Sequence, residues 1–392
     1  MISVQQAKQI IRDAAPAPKI VKLPLLEAFG FTLAKDVIAT VDIPNFAQSS
    51  MDGYAIKFAD KGKQLAIIGE MAAGATQQHT IKNGQATRIF TGAPLPQGAD
   101  TVIMQEKVTV ENKLLTLQDD NLSQGLNVRP KGAEVKNGEL AMAKGTYLSA
   151  AALGFLAGIG CTHVAVYAAP KVAIILTGNE LQEPGKPLEF GQVYEANSII
   201  LTAALHKAGI NDITILRSED NPETLAAVLK QALESNDVVL LNGGVSVGDY
   251  DFVVGAAVAC GIEQKFHKIK QKPGKPLFFG TKQDKLVFGL PGNPSSGLTC
   301  FYEYVLPALE RSMRKDARVI ATTATTTHNY TKPAGLTHFL KGFYTEGDVT
   351  PLHAQESFRL HSFAQANCFI VLPEESTGCT AGNTIEVHLL PL

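Results

Sequence analysis

KVAIILTGNE (residues 171–180), ITILR (213–217) and DVVLLN (237–242) are three apolar runs, each ending in polar or glycine residues, and their reading decides the fold. Helical stretches at 196–208 and 222–234 lie between them, and another at 252–260 follows. Further strands then lead to a long helix over 294–314. Strands this apolar have no solvent-facing side, so they predict a largely parallel sheet covered on both faces, a three-layer α/β domain. Asn221-Pro222 and Asn293-Pro294 each place an N-cap residue before proline at the first helical position, which marks two of the helix starts.

Outward from this domain the pattern changes. Beyond the Ala/Thr run at 320–327, the segments THFLKGF (337–343), CFIVL (368–372) and TIEVHLL (384–390) are separated by turn residues, which predicts a small β-barrel or sandwich. The first half is β-rich from about Val37 to Tyr147. It opens with a short amphipathic helix, N-capped by Ser3, with Val4, Ala7, Ile10 and Ile11 on one face. The apolar stretch 147–169 is about as long as a membrane span. Its glycines and His163 divide it instead into a helix (149–157), a turn and a strand (163–167). The expected architecture is multidomain α/β plus β: one or two β-rich units in the first half, the α/β domain as far as about residue 318, and a carboxy-terminal β-barrel or sandwich.

Over 392 residues, 35 Lys and Arg face 37 Asp and Glu, so no global positive field gathers nucleic acid or a membrane surface. Any anion site must be local. Five cysteines, none in a CxxC pair, suggest neither a disulfide framework nor structural zinc, and the cytoplasm is the expected location.

In an open parallel sheet, ligands bind beyond the carboxyl ends of the strands. Three turns there are dense in small residues: Thr177-Gly178-Asn179-Glu180, Asn242-Gly243-Gly244 running on to Asp251, and Pro291-Gly292-Asn293-Pro294. Such turns let backbone N–H groups approach an anion. Neither a Walker A sequence, nor GxGxxG, nor a GxSxG elbow, nor HExxH is present, so the chemistry rests on positioning, electrostatics and a divalent ion. Lys268, Lys270 and Lys272 alternate along one run, so one strand face is expected to present several ammonium groups; a solvated edge is the plainer reading. Glu180, Asp220, Asp249 and Asp251 stand at strand ends of the same sheet, where one or two carboxylates plus substrate phosphates would hold Mg2+. Taken singly, each reads equally as a cap or a solvated carboxylate.

With these residues in hand, the chain resembles the molybdopterin molybdenumtransferases, the family of bacterial MoeA and of the carboxy-terminal domain of gephyrin. SSMDGYA (49–55), TGAPLPQGAD (91–100), NVRPKGAE (127–134), TGNEL (177–181), GGVSVGDYD (243–251), KPGKP (272–276) and LPGNPSS (290–296) occur in the family's order and spacing. The resemblance implies an elongated homodimer of four-domain subunits, here 1–40 with 130–169, a β-rich lobe 41–129, the α/β domain 170–318 and a carboxy-terminal β-barrel 319–392. In it molybdate is inserted, with Mg2+, into adenylylated molybdopterin, releasing AMP and molybdenum cofactor. It implies that Asp52 and Thr91 reach over the partner subunit's α/β domain. Glu180, Asp220 and Asp251 would serve the metal and nucleotide, and Lys268 and Lys272 the phosphate or molybdate.

Arg129 and Ser357, the latter in ESFRLHS (356–362), would hold oxyanions, and Pro291 and Pro294 would shape the pterin pocket. Gly243, Gly244, Ser246, Gly248, Lys275, Gly292 and Asn293 complete the implied substrate-binding set. Two positions depart from the family pattern, Glu134 and Asn179, each standing where Asp is common. Docking to a molybdopterin adenylyltransferase or to molybdoenzymes belongs to the same expectation. The rival readings are a scaffold of this fold, a molybdopterin adenylyltransferase, and a tungstate-handling variant.

Overall fold

The computed structural model describes residues 1–244 and 252–391. The chain forms two compact units, one of residues 1–21, 30–32 and 166–392, the other of residues 22–29 and 33–165.

In the first unit a six-stranded sheet runs in the order Ile213–Ser218, Val172–Thr177, Val238–Asn242, Lys285–Leu290, Pro276–Lys282, Glu263–Lys268. The first four strands are parallel, Pro276–Lys282 runs antiparallel to Lys285–Leu290, and Glu263–Lys268 runs antiparallel to Pro276–Lys282. All six residues of Val172–Thr177 are buried, as a central strand with both faces covered requires. Successive residues point to opposite faces. Val172, Ile174 and Leu176 pack with Leu201, Leu205, Phe301 and Leu309, while Ala173 and Ile175 pack with Leu225, Leu229 and Val253. Each large aliphatic side chain buried this way contributes about 1.5–3 kcal/mol.

The amino-terminal helix Val4–Ala14 begins at Ser3, whose hydroxyl accepts from Gln6 N while the Gln6 side chain accepts from Ser3 N. The helix buries Ala7 and Ile11 in the same cluster. The stretch expected as one helix over 294–314 is Pro294–Cys300 and Leu306–Ser312 joined by a π-helical segment, Phe301–Val305. That segment turns Glu303 into the interior. There Lys8 Nζ lies 2.5 Å from Glu303 Oε2 and His388 Nδ1 2.8 Å from Oε1, so one buried carboxylate joins the first helix, the α/β layer and the last strand.

The carboxy-terminal segments form a closed barrel of five strands: Thr337–Thr345, Asp348–Pro351, Ile320–Thr326, Thr384–Leu389 and Cys368–Leu372, the last pairing back to the first. Leu340, Val349, Ile370 and Val387 fill it. Gln271–Lys272 adds in parallel to Thr337–His338 at the mouth.

The second unit is built on a sheet ordered Thr101–Met104, Gly53–Ile56, Gln85–Ile89, Leu65–Met71, Leu114–Leu117, Val108–Glu111. Its core sits on Ile56, Leu65, Ile103 and Leu115 on one side, and on Met71, Ile89 and Val102 on the other. Among the described residues no helix is long and apolar enough to cross a membrane.

Candidate active site

The turns following Val172–Thr177, Val238–Asn242 and Lys285–Leu290 converge on a cleft of about 670 Å3. Glu180, Asp220, Gly243, Gly244, Pro291, Gly292, Asn293 and Pro294 all line it. Two amides, of buried Asn242 and half-buried Asn197, hold the turns together. Asn242 Nδ2 donates to Pro291 O at 3.2 Å, and Asn197 Nδ2 donates to Asn242 Oδ1 at 2.7 Å and to Gly292 O at 2.8 Å. Gly243 is required where it stands. Its φ is +95°, and a Cβ would lie 2.6 Å from Thr177 Oγ1 and 2.7 Å from Thr177 O.

Asn179 and Asp220 are reciprocally bonded. Asn179 N donates to Asp220 Oδ2 at 3.3 Å, and Asp220 N donates to Asn179 Oδ1 at 3.4 Å. A neutral amide thus fills the acceptor role without adding a second negative charge beside Asp220.

A second cavity of about 720 Å3 shares Pro276, Pro291 and Asn293 with the first and continues under the barrel. Lys272, Lys275, Ser296, Tyr330, His338 and Ser357 line it. Lys272 is carried there because Gln271 is buried and anchored. The Gln271 side-chain amide donates to Pro273 O and Gly274 O at 3.1 and 3.0 Å, and its oxygen accepts from the Tyr304 hydroxyl. Burial, with Lys332 and Lys272 nearby, pushes His338 down to about 4, so the imidazole is neutral at pH 7 while the ammonium groups supply the positive charge.

Three first-half motifs meet on one strand of the second unit. Gln48–Ser49 pairs with Val128–Arg129, Gly92 N donates to Ser49 O, and Ser49 N donates to Ala93 O. Asp52 Oδ1 accepts from Thr91 N at 2.7 Å and from Thr91 Oγ1 at 2.8 Å. These bonds, the backbone one foremost, hold the carboxyl below its ordinary value. Arg88 stacks between Tyr54 and Phe90, 5.2 and 4.8 Å from their ring centres, and donates to Gly53 O at 2.8 Å, which fixes the strand that carries Asp52. Arg129 and Glu134 are exposed in this unit, with Glu134 N donating to Ile43 O at 2.8 Å.

Two expectations need correction. The run 268–272 is not one strand. Lys268 ends a strand of the α/β sheet, Lys270 pairs with Glu374 at 2.6 Å, and Lys272 belongs to the barrel edge. The alternation therefore presents no common face, and Lys268 is not among the described residues that line either cavity. Asn293 does not cap its helix through its side chain; the amide donates to Ser357 Oγ at 2.9 Å instead. Asn221 does cap, accepting from Glu223 N and Thr224 N.

Ser246, Gly248, Asp249 and Asp251 lie outside the described residues. Glu180 and Asp220 remain as carboxylates of one cleft, and the described residues contain no cluster of three or more acids, histidines or cysteines that could hold a metal by itself. Two carboxylates suit Mg2+, a hard cation that keeps several waters and takes its remaining oxygens from substrate phosphates. Sequence reading passed over Asn197 and His338, whose roles come from neighbours distant in the chain and carry no local motif.

Residues 2–160 match the model of the MoeA N-terminal region (domain I and II), 173–311 that of a probable molybdopterin binding domain, and 323–390 that of the MoeA C-terminal region (domain IV). The chain is 34% identical to a molybdopterin molybdenumtransferase of Haemophilus influenzae over 100% of both chains. It is 34% identical to one of Staphylococcus epidermidis, over 99% of this chain and 95% of that one. Two crystal structures of the MoeA molybdopterin biosynthesis protein of Pyrococcus horikoshii superpose with TM-scores of 0.85 and 0.80. They are 30% and 29% identical, over 99% of this chain and 99% and 100% of theirs.

Proposed function

The chain belongs to the molybdopterin molybdenumtransferase family and is a transferase of molybdenum cofactor biosynthesis; from that premise we propose that it inserts molybdate into adenylylated molybdopterin, with Mg2+, and releases AMP. The observation that carries this reading is the pair of adjoining cavities. One is lined by carboxylates and glycine turns, the other by Lys272, Lys275 and Ser357, with Pro291 and Asn293 common to both. A substrate with a nucleotide at one end and a metal-accepting dithiolene at the other needs two chemically different ends joined by a wall. Both reactants are anions, so their approach must be screened by fixed cations.

In this reading Glu180, Asp220 and Asp251 hold Mg2+, which when bound neutralises charge on the phosphates. Gly243, Gly244, Ser246, Gly248 and Gly292 give the backbone close approach to the substrate. Lys272 and Lys275 attract the molybdate dianion, and Ser357 and Asn293 orient it by hydrogen bonds. Pro291 and Pro294 give a rigid wall for the pterin. Lys268 serves the phosphate or molybdate, Asp52 and Thr91 act on the partner subunit's α/β domain, Arg129 helps hold oxyanions, and Glu134 belongs to the substrate-binding set. We further propose a cytoplasmic homodimer whose chain divides into the four parts 1–40 with 130–169, 41–129, 170–318 and 319–392.

The test is single-turnover conversion of adenylylated molybdopterin by the purified full chain with Mg2+, with and without molybdate, following AMP and protein-bound molybdenum together. Molybdate-dependent AMP release with metal incorporation supports the reading. Tight nucleotide binding without turnover sinks it and favours a scaffold, and turnover with tungstate alone reassigns the oxyanion.

A further inference from the structure

Lys341 is a cation that the site described above does not use, and it is 3% exposed. It lies on the barrel strand Thr337–Thr345, and no carboxylate forms an ion pair with it among the described residues. Its ammonium donates instead to three backbone carbonyls of one loop: Ala354 O at 2.8 Å, Arg359 O at 3.0 Å and Glu356 O at 3.5 Å. The Glu356 carboxylate acts on it electrostatically and offsets part of the cost of burying this ammonium, and the rest is offset only if its donors are satisfied. An apolar residue would fill the same space without that cost, so the barrel core alone gives no reason for lysine here.

The loop gives the reason. Residues 352–362 carry no strand pairing of their own between Asp348–Pro351 and Cys368–Leu372, and their carbonyls need donors. Ala354 sits at φ +59°, a conformation that L-residues other than Asn, Asp or Gly adopt at a cost. Its carbonyl is held from two sides, by Lys341 Nζ and by Ser362 Oγ, each at 2.8 Å. Gln355 closes the base, donating to Leu352 O and Lys341 O at 2.7 and 2.8 Å while accepting from Lys341 N at 2.9 Å.

Between these fixed points the chain presents Glu356, Ser357 and Phe358 to the 720 Å3 cavity, and Ser357 Oγ accepts from Asn293 Nδ2. Lys341 itself is not among the residues lining that cavity. It acts only through the loop.

We propose that Lys341 is a positioning residue for the oxyanion end of the site: its ammonium gathers the carbonyls of Ala354, Glu356 and Arg359 so that the Ser357 hydroxyl stands fixed against Asn293. This deepens the proposed molybdate insertion and rests on it. The loop is pre-formed, so the oxyanion does not have to order it on binding, and the ordering cost is met in the folded chain.

Such a role makes a specific signature. Loosening the loop weakens capture of the oxyanion and leaves the chemical step unchanged once the site is filled, so KM for molybdate rises while kcat holds. The experiment compares the full-length wild-type chain with Lys341→Met and Lys341→Arg, reading molybdate-dependent AMP release and amide hydrogen exchange over 352–362. For Lys341→Met the expected result is a molybdate KM raised by about tenfold with kcat within about twofold, and faster exchange confined to that loop. Lys341→Arg, whose guanidinium offers five donors, restores KM to within about threefold of wild type.

A wild-type KM in Lys341→Met, a fall in kcat with KM unchanged, or unaltered exchange over 352–362 overturns the proposal. If Lys341→Met does not fold, Lys341→Gln decides: a raised KM in the folded variant supports the role and a wild-type KM overturns it. A wild-type chain that binds adenylylated molybdopterin but shows no molybdate-dependent turnover removes the functional reading itself, and the positioning role falls with it.

Discussion

Asn293 Nδ2 donates to Ser357 Oγ at 2.9 Å, a bond between residues 64 apart that joins the last glycine turn of the α/β sheet to the loop beneath the barrel. Asn293 lines both cavities, so this bond ties a residue common to the two to the loop that carries Ser357. Replacing Asn293 by Ala removes one neutral hydrogen bond worth about 1 kcal/mol. The expected outcome is a molybdate KM raised roughly fivefold with little change in thermal stability. Asn293→Asp adds a negative charge facing two anions, so its KM rises further, and added salt relieves part of the increase because that charge is exposed to solvent. Steady-state kinetics at two ionic strengths separate the two variants.

In the other unit, Asp52 owes its depressed pKa first to the Thr91 backbone N–H and then to the Thr91 hydroxyl. Thr91→Val deletes only the second donor. The Asp52 carboxyl should then titrate above its wild-type value but still below an ordinary aspartate, as read by NMR of a carboxyl-labelled chain. An unchanged titration would show that the backbone bond alone sets the value.

His338 gives a pH dependence with a definite sign. Its pKa falls from about 6.5 unfolded to about 4 folded, so the folded state disfavours the imidazolium. The stability tied to the neutral ring is fully present above pH 6.5. It is lost as pH falls from 6.5 to 4, because the unfolded chain takes up the proton first, and the loss is at most about 3 kcal/mol. His338→Gln should flatten this part of the stability profile, measured by urea unfolding from pH 4 to 7.5. Lys272→Met, removing one of the two cations that depress the ring, should raise the folded-state pKa, so the loss still begins near pH 6.5 but ends at a higher pH and is smaller.

What could be read from the sequence follows the range of the interactions. The strand Val172–Thr177, the capped helix Pro222–Ser235 and the barrel strands announce themselves through neighbours two to four residues away, so periodicity and caps find them. The glycine turns were legible for the same reason, since a turn is a local event. Lys268, Lys270 and Lys272 misled because alternation implies a common face only while the chain stays in one sheet, and here it leaves the α/β sheet for the barrel within three residues. Asn293 misled because residue type and position mark an N-cap, whereas its Oδ1 makes no capping bond and its Nδ2 reaches Ser357. The bond between Asn197 and Asn242 spans 45 residues and their links to the proline turn 95 and 49, and none leaves a trace in spacing.

The glycine turns separate two substitutions that look alike on paper. Gly243→Ala forces an L-residue to φ +95° and drives its Cβ to 2.6 Å from Thr177 Oγ1 and 2.7 Å from Thr177 O. The hydroxyl can rotate away, but the carbonyl belongs to the end of a fully buried central strand and cannot retreat without disturbing its pairing with Ile213–Ser218. Destabilisation of about 2 kcal/mol or more is expected, together with loss of nucleotide binding, because relief of the clash moves the turn out of the cleft it lines. Gly255→Ala lies in the helix Phe252–Ala259 with no atom within 4 Å of the added Cβ, and the same methyl there should stabilise by about 0.5–1 kcal/mol through helix propensity. Urea unfolding with a nucleotide-binding titration checks both. Equal effects from the two substitutions would contradict the assignment of Gly243 to a conformation that only glycine supplies.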